Sequence, residues 1–381
     1  FEDALAIAYQ NRPRIFDRHI VLPSLLHERV VSYDERIRAD GAVLGEPDLD
    51  ALAADLAEVH ADGVRAVAIV CLHGHLFDAH ERLAAEVARR VGFTQVSTSS
   101  TASPLMKLVS RGDTTVADAY LSPVLARYVD EVASELQDVR LLFMQSNGGL
   151  TEAHHFRGKD AILSGPAGGI VGMVAMSTML GHGKVIGFDM GGTSTDVSHF
   201  AGELERVFDT EVAGVRLRAP MLAIHTVAAG GGSVLHFDGS RFRVGPDSAG
   251  ADPGPACYRN GGPLSVTDAN VMLGRVQPEH VPHVFGPGGD QPLDREVVRR
   301  RFTDLAEEVS AATGEPRSPE EVAEGFVAIA VANMANAVRT ISVQKGHDVT
   351  EFVLTTFGGA GGQHACAVAD ALGIRTVVVP P

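Results

Sequence analysis

Two rhythms of apolar residues run through the first half of the chain. Leu52, Leu56 and Val59 recur at helical spacing inside 49–61, and Gly63 stops the run. Residues 64–71 carry Val64, Val67, Ile69 and Val70, a run too apolar for a half-exposed strand, which predicts a central parallel strand. A helix over 79–91, capped by Asp78 and closed by Gly92, a short strand at 93–97 and a long amphipathic helix at 115–136, which Pro123 can break, follow in order. A strand at 139–145 ends in the turn Ser146-Asn147-Gly148-Gly149. This β-α-β-α succession predicts a doubly wound sheet.

The second half begins with a small-residue helix at 167–180, then a buried strand at 185–188, a glycine turn and a strand-like run at 194–200. Several short alternating strands are expected within 201–234, and an ordered Gly/Pro/Asp-rich excursion over 239–262. Four prolines and three glycines mark 278–292 as a surface loop. Helices are predicted at 294–313 and 319–343, the latter with Glu320 and Glu321 suitably at its N-terminus. A strand at 352–357, a glycine cluster, a helix at 364–372 and a strand at 376–379 complete the pattern.

With 381 residues the chain is long enough for roughly two to three domains. The expected division is a first lobe at 1–180 and a second at 181–381, the second holding the excursion extended to 239–292. A net charge of −16 disfavours nucleic acid or an anionic membrane as partner. No apolar stretch reaches the ~20 residues that span a bilayer. Cys71, Cys257 and Cys366 are scattered and odd in number, which fits reduced thiols in a cytoplasmic protein.

The strongest chemical signal is Asp189-Met190-Gly191-Gly192-Thr193-Ser194-Thr195-Asp196 after an apolar strand. The strand delivers Asp189 to its carboxyl end, where α/β sheets bind ligands. Gly191 and Gly192 let backbone N–H groups approach phosphate oxygens, and Thr193, Ser194 and Thr195 add hydroxyls. Asp189 or Asp196 can hold Mg²⁺ through water, and both are candidate catalytic carboxylates. No Gly-Lys-Ser/Thr follows, so this is not a Walker loop. A second Gly-rich turn, Phe357-Gly358-Gly359-Ala360-Gly361-Gly362-Gln363-His364, again follows a strand and precedes a helix, placing backbone against a nucleotide. His364 either donates to a ligand or begins the helix.

These two turns resemble the second phosphate loop and the adenosine loop of the actin, sugar-kinase and heat-shock chaperone ATPase superfamily. More narrowly, Thr114-to-Tyr120, Met144-to-Gly149, Ser164-to-Gly169, Ala229-to-Ser233, Val244-to-Tyr258 and Thr267-to-Asn270 are similar, in order, to segments of the hydantoinase A/5-oxoprolinase family of ATP-dependent amide hydrolases. The resemblance implies an α/β, ribonuclease H-like, actin-type ATPase fold with two lobes and a nucleotide cleft. It implies ATP and Mg²⁺, with a monovalent cation as a further candidate, and phosphorylation of a cyclic-amide carbonyl oxygen before a B-type subunit or domain completes hydrolysis. Asp189 would orient Mg²⁺-bound water or the attacking group. Gly191 to Thr195 would hold phosphates, and Gly358, Gly359, Ala360 and Gly361 would pack on adenosine. A homo- or hetero-oligomer is expected. Related alternatives are an ATP-dependent acetone or acetophenone carboxylase subunit and a non-catalytic nucleotide-binding module. The family's earlier Gly-Gly-Thr hairpin has no counterpart after Phe1, so the chain is expected to be a fragment, inactive by itself. The two turns are expected to converge from opposite lobes on one triphosphate.

Other clusters keep two readings. His73, His75, Asp78 and His80 offer a transition-metal site, a substrate-lining segment or a helix start with solvated histidines. Gly231 and Gly232 with His225 form either a third approach to ligand or a tight turn between strands. Cys257 is a nucleophile only with a base beside it, and otherwise a buried thiol. Asp268 and Asn270 are helix caps or site groups, and Arg111 and Asp113 substrate contacts or a local ion pair.

Overall fold

The structure, a computed structural model, describes residues 24–136 and 139–380 together with Phe16, Arg18 and His19. Phe1, where the expected first lobe begins, and Pro381 lie outside these. The chain divides into two compact units, Phe1–Gly168 with Arg206–Leu222 and Gly169–Glu205 with Ala223–Pro381. The boundary expected at 180/181 thus falls at 168/169, and a hairpin from the second half joins the first unit. The reason is packing: strands Arg206–Val212 and Val215–Leu222 bury Leu217, Ala219 and Met221 with Ala117 of the long helix. The Arg218 amide also donates to Thr114 Oγ1 at 2.7 Å.

In the first unit, helices Leu49–Ala61 and Ala79–Val91 form over the predicted spans, although Asp78 makes no side-chain cap bond to the second and pairs with Arg82 instead. The Asp48 carboxylate accepts the Asp50 and Ala51 amides, and Gly92 closes the second helix in the left-handed region at φ 118°. Leu52, Leu56, Val59, Ala84, Ala88 and Phe93 pack between them. The expected central strand is Ala66–Ile69, which pairs in parallel with Gln95–Thr98 in a two-stranded sheet. Only Ile69 in it is buried, because the strand also faces a cavity of about 730 Å³ lined by Val31, Tyr33, Val116 and Tyr120. No doubly wound sheet forms among the described residues of this unit.

The long helix starts at Leu108, earlier than its apolar pattern predicts, and runs unbroken past Pro123 to Glu135. Its first turns bury polar residues, which hides their periodicity. Arg111 is fully buried, donating from Nε to Ser99 Oγ at 2.8 Å and from its Nη atoms to the carbonyls of Leu105, Cys71 and Leu72. Burial of so large a cation is tolerable because every direction of its fork meets an acceptor. Asp113 lies 4.0 Å from Arg216 rather than pairing with Arg111.

The second unit is built on a five-stranded mixed sheet. The order is His225–Val227, Thr195–Phe200, Val185–Met190, Val353–Phe357, Val377–Val378. The first three strands are antiparallel and the last three parallel, with Val185–Met190 belonging to both sets. Because side chains alternate, Ile186, Phe188, Met190 and Val197 enter one core, while Gly187, Ser198 and Met173 meet on the other face. Gly187 is required there, since a Cβ would overlap Ser198 Oγ and stand 2.6 Å from the Met173 sulfur.

Helix Arg295–Thr313, capped by Asp294, and helix Pro319–Ile341, with the capping box Ser318/Glu321, cover the first face. The latter extends into a segment, Pro319–Lys345, long and apolar enough to cross a membrane, contrary to the sequence reading; its apolar side, with Phe326, Ala330 and Met334, is buried in the unit's core. The excursion contains strand Phe242–Ser248, which pairs with Ser233–Phe237 just before it, and 278–292 is largely exposed. Phe326 has no exposure and its ring stands 4.5 Å from that of Phe242. Phe326→Ala should therefore lower the unfolding free energy of this unit by about 3–5 kcal/mol, read as a fall in the urea midpoint.

Candidate functional site

Both glycine turns lie in the second unit, at the carboxyl ends of two neighbouring parallel strands. They do not approach from opposite lobes. Phe357 is registered beside Asp189, so the chain leaves the sheet at adjacent positions. Gly358 follows at φ +81°, and a Cβ on it would overlap Asp189 Oδ1 and stand 2.6 Å from the Met190 carbonyl oxygen. Only glycine allows this contact. The Ala360 amide then donates to the Met190 carbonyl at 2.9 Å and ties the second turn to the first.

The Gly230–Gly232 turn is drawn into the same place. Gly231 donates to the Gly191 carbonyl at 3.1 Å and Gly232 to the Gly192 carbonyl at 2.6 Å. A Cβ on Gly230 would stand 2.6 Å from the Gly192 oxygen and the Ser194 nitrogen. Thr195 Oγ1 donates to the Ala229 carbonyl, and Thr267 donates to Gly231 from both its amide and its hydroxyl. Gly191, Gly192, Gly231, Gly232, Gly358 and Ala360 thus form one backbone cluster. The amides of Gly192, Thr193 and Gly359 make no hydrogen bond among the described residues, and all three residues are exposed. Gly361 is placed differently from its neighbours: it is buried against Thr356 Oγ1 and Phe188 rather than open to a ligand.

Two carboxylates stand beside this cluster. Asp189 and Asp196 are directly opposed across antiparallel strands and so share a face. Burial raises the Asp189 carboxyl above its ordinary range, and the charge of Asp196 raises it further. Asp196 is steadied by the Thr226 hydroxyl, which donates to Oδ1 at 2.6 Å. Unpaired carboxylates with exposed amides and hydroxyls nearby are a donor set that fits a hard cation and phosphate oxygens.

The remaining candidates have other partners. His225 opposes Val197, which places it on the sheet face away from Asp189 and Asp196. His73, in the first unit, donates Nδ1–H to the Ile37 carbonyl at 2.6 Å. His80 bridges Glu35 and Glu46 at 2.8 and 3.1 Å, and Asp78 pairs with Arg82. These side chains do not gather into a metal cluster. Cys257 is buried and its thiol is raised by desolvation and by Asp268, the reverse of an activated nucleophile. Asp268 accepts the amides of Ala256, Cys257 and Ser265 and closes a capping box, a structural role. Asn270 reaches the second glycine turn, donating from Nδ2 to Gln363 Oε1 and lying 2.9 Å from His364 Nε2. His364 is buried, and desolvation pushes its pKa down to about 4, so it is a neutral group within the fold.

Residues 111–381 match the hydantoinase/oxoprolinase family and residues 1–92 match that family's N-terminal region. The chain belongs to the hydantoinase/oxoprolinase family. It is 43% identical over 411 residues to a 5-oxoprolinase of Saccharomyces cerevisiae, an alignment covering all of this chain and 32% of that protein. It is 31% identical over 374 residues to the caprolactamase subunit alpha of Pseudomonas jessenii, covering 95% of this chain and 52% of the subunit. The crystal structure of that ATP-dependent caprolactamase superposes with a TM-score of 0.80 at 30% identity, over 100% of this chain and 55% of the solved one. A nucleotide-free acetone carboxylase superposes with a TM-score of 0.72 at 24% identity, over 91% of this chain and 49% of that one, which speaks to the α/β fold alone. The chain spans about a third of the length of the 5-oxoprolinase it matches.

Two outcomes test this geometry. The raised pKa of Asp189 means that folding binds a proton there more tightly than the unfolded chain does, so stability falls as pH rises through that raised value. Asp189→Asn should then melt higher than the parent at pH 7 without metal, the difference shrinking toward pH 4. Gly358→Ala should destabilise by at least about 1 kcal/mol through its left-handed backbone, read from the same melts.

Proposed function

We propose that this chain is the ATP-using part of a cyclic-amide hydrolase of the 5-oxoprolinase type, working with a B-type subunit or domain. The observation that carries the reading is the fusion of the Asp189 and Gly358 turns at the ends of adjacent parallel strands, with amides and two carboxylates left open. The strand order supports reading the second unit as a ribonuclease H-like half of an actin-type ATPase.

The chemistry needs such a place. An amide carbonyl is a poor electrophile, and phosphorylating its oxygen turns that oxygen into part of a leaving group. The amide oxygen bonds to the γ-phosphorus as the bond to ADP breaks. In the partner, water would add at the activated carbon and the ring C–N bond would open to free the amine. A second water would release phosphate from the acyl phosphate to leave the carboxylate. Mg²⁺, when bound, neutralises charge on the transferring phosphoryl group. Asp189 and Asp196 would hold that ion through water. The amides of Gly192 and Thr193, with the Thr193 and Ser194 hydroxyls, would position phosphate oxygens. Gly359 would present its backbone to the nucleoside. His225, on the opposite sheet face, has no part in this arrangement.

Release of ADP is the test. The protein, assembled with its B-type partner, should release ADP in the presence of 5-oxoproline or another cyclic amide and not without one. Asp189→Asn should lower that rate by at least about 100-fold, as losing a transition-state charge contact does. Release that depends on a ketone and bicarbonate would replace the reading with a carboxylase. Release indifferent to all added substrates would leave a nucleotide-gated binding module.

A further inference from the structure

A second set of polar residues lies on the same sheet, at the end away from the glycine turns. His199 is on strand Thr195–Phe200, opposite Ile186. A tight turn through Gly202, at φ +98°, pairs Phe200 with Leu204 and brings Glu205 back beside it. His347 arrives from the end of helix Pro319–Ile341, through the short turn Val343–Lys345 and Gly346 at φ +87°. Its amide donates to the Ser342 carbonyl at 3.1 Å, which fixes its position.

The three side chains offer a ligand atom each within 4.8 Å of one another. His199 is 6% exposed, and neither of its ring nitrogens makes a well-formed hydrogen bond among the described residues. Nδ1 stands 3.5 Å from Glu205 Oε1, at the outer limit of a hydrogen bond. Lys345 pairs with the other oxygen, Oε2, which leaves Oε1 turned to the histidines. The His199 and His347 rings lie 4.3 Å apart, and Phe352 packs 5.0 Å from His199, closing one side. A buried imidazole with two unsatisfied nitrogens is rare in native structures.

We propose that His199, Glu205 and His347 bind a divalent transition-metal ion, with zinc the best fit. Two imidazoles and one carboxylate are a borderline-soft donor set suited to Zn²⁺. Ligands at about 2.0–2.2 Å from a tetrahedral ion lie roughly 3.4 Å apart, close to the present separation of His199 Nδ1 and Glu205 Oε1. The ion would join the strand that carries Asp196 to the segment following helix Pro319–Ile341. Its place is structural and does not depend on the nucleotide reading.

The test is metal uptake by the 381-residue chain. Stripped of metal and titrated with Zn²⁺ against a chromophoric chelator, it should take up one tight equivalent and melt higher when loaded. His347→Gln and Glu205→Gln, both at half-buried positions, should weaken that equivalent at least 100-fold and abolish the melting shift. His73→Gln should change neither. X-ray absorption at the zinc edge of the loaded parent should count two imidazoles, a reading that does not depend on any variant folding. No tight equivalent, equal affinity in both variants, or a zinc shell with fewer than two imidazoles would each overturn the site and leave a stacked imidazole pair.

Discussion

The second unit depends on backbone atoms meeting without side chains between them. Gly358 sits where a methyl would occupy the space of Asp189 Oδ1, and Gly230 where one would press on the Gly192 carbonyl. Three turns from distant parts of the chain are joined by the bonds Gly231 to Gly191, Gly232 to Gly192 and Ala360 to Met190. These bonds consume inward-facing carbonyls and leave the outward amides of Gly192, Thr193 and Gly359 unpaired. A surface of fixed N–H dipoles is therefore a by-product of how the turns hold one another. Such preorganised donors need no rearrangement to meet an anion.

Asp189 is the electrostatic counterpart of that backbone arrangement. The strand must be apolar to run through the sheet's centre, and its last residues bury the carboxyl beside Asp196. Two like charges on one face, one partly desolvated, raise the free energy of the metal-free fold. A bound cation relieves both penalties at once, which makes the carboxylates more than neighbours of the glycine turns. Thr226 holds Asp196 in place, so the pair cannot simply rotate apart.

Much of this was legible in the sequence where the signal is local. Gly92 and Glu321 mark helix ends through bonds made within a few residues. The glycine turns were legible for the same reason. What depended on distant partners was not. An apolar run such as 64–71 predicts a buried strand but carries no information about how many neighbours it has. The first turns of the helix from Leu108 were hidden because Arg111 and Thr114 are buried with their own acceptors, which breaks the apolar period. The hairpin 206–222 was assigned to the wrong unit because alternation along a strand does not say which helix it will cover. His225 was grouped with Gly231 and Gly232 as a candidate approach to ligand, whereas its pairing opposite Val197 turns it to the face away from Asp189 and Asp196. The meeting of His199 with His347 has no sequence signal at all, being a product of the Gly202 and Gly346 turns.

The alternation of a single strand also explains how two different polar sites can share one sheet. Asp196 and His199 are three residues apart on Thr195–Phe200, an odd separation, so they project from opposite faces. Asp196 joins Asp189 on the face that holds Gly187 and Ser198, while His199 shares its face with Val197 and Ile186. The sheet itself insulates one group from the other, with Phe188, Met190 and Val197 filling the space between them on the core side. Charge changes at the carboxylates therefore reach the histidines through an apolar layer rather than along a hydrogen-bonded chain. The coupling left is mechanical: anything that fixes His199 to the Lys345–His347 segment restrains the strand that also presents Asp196. Rigidity of that strand, more than any exchange of charge, is the property the two sites have in common.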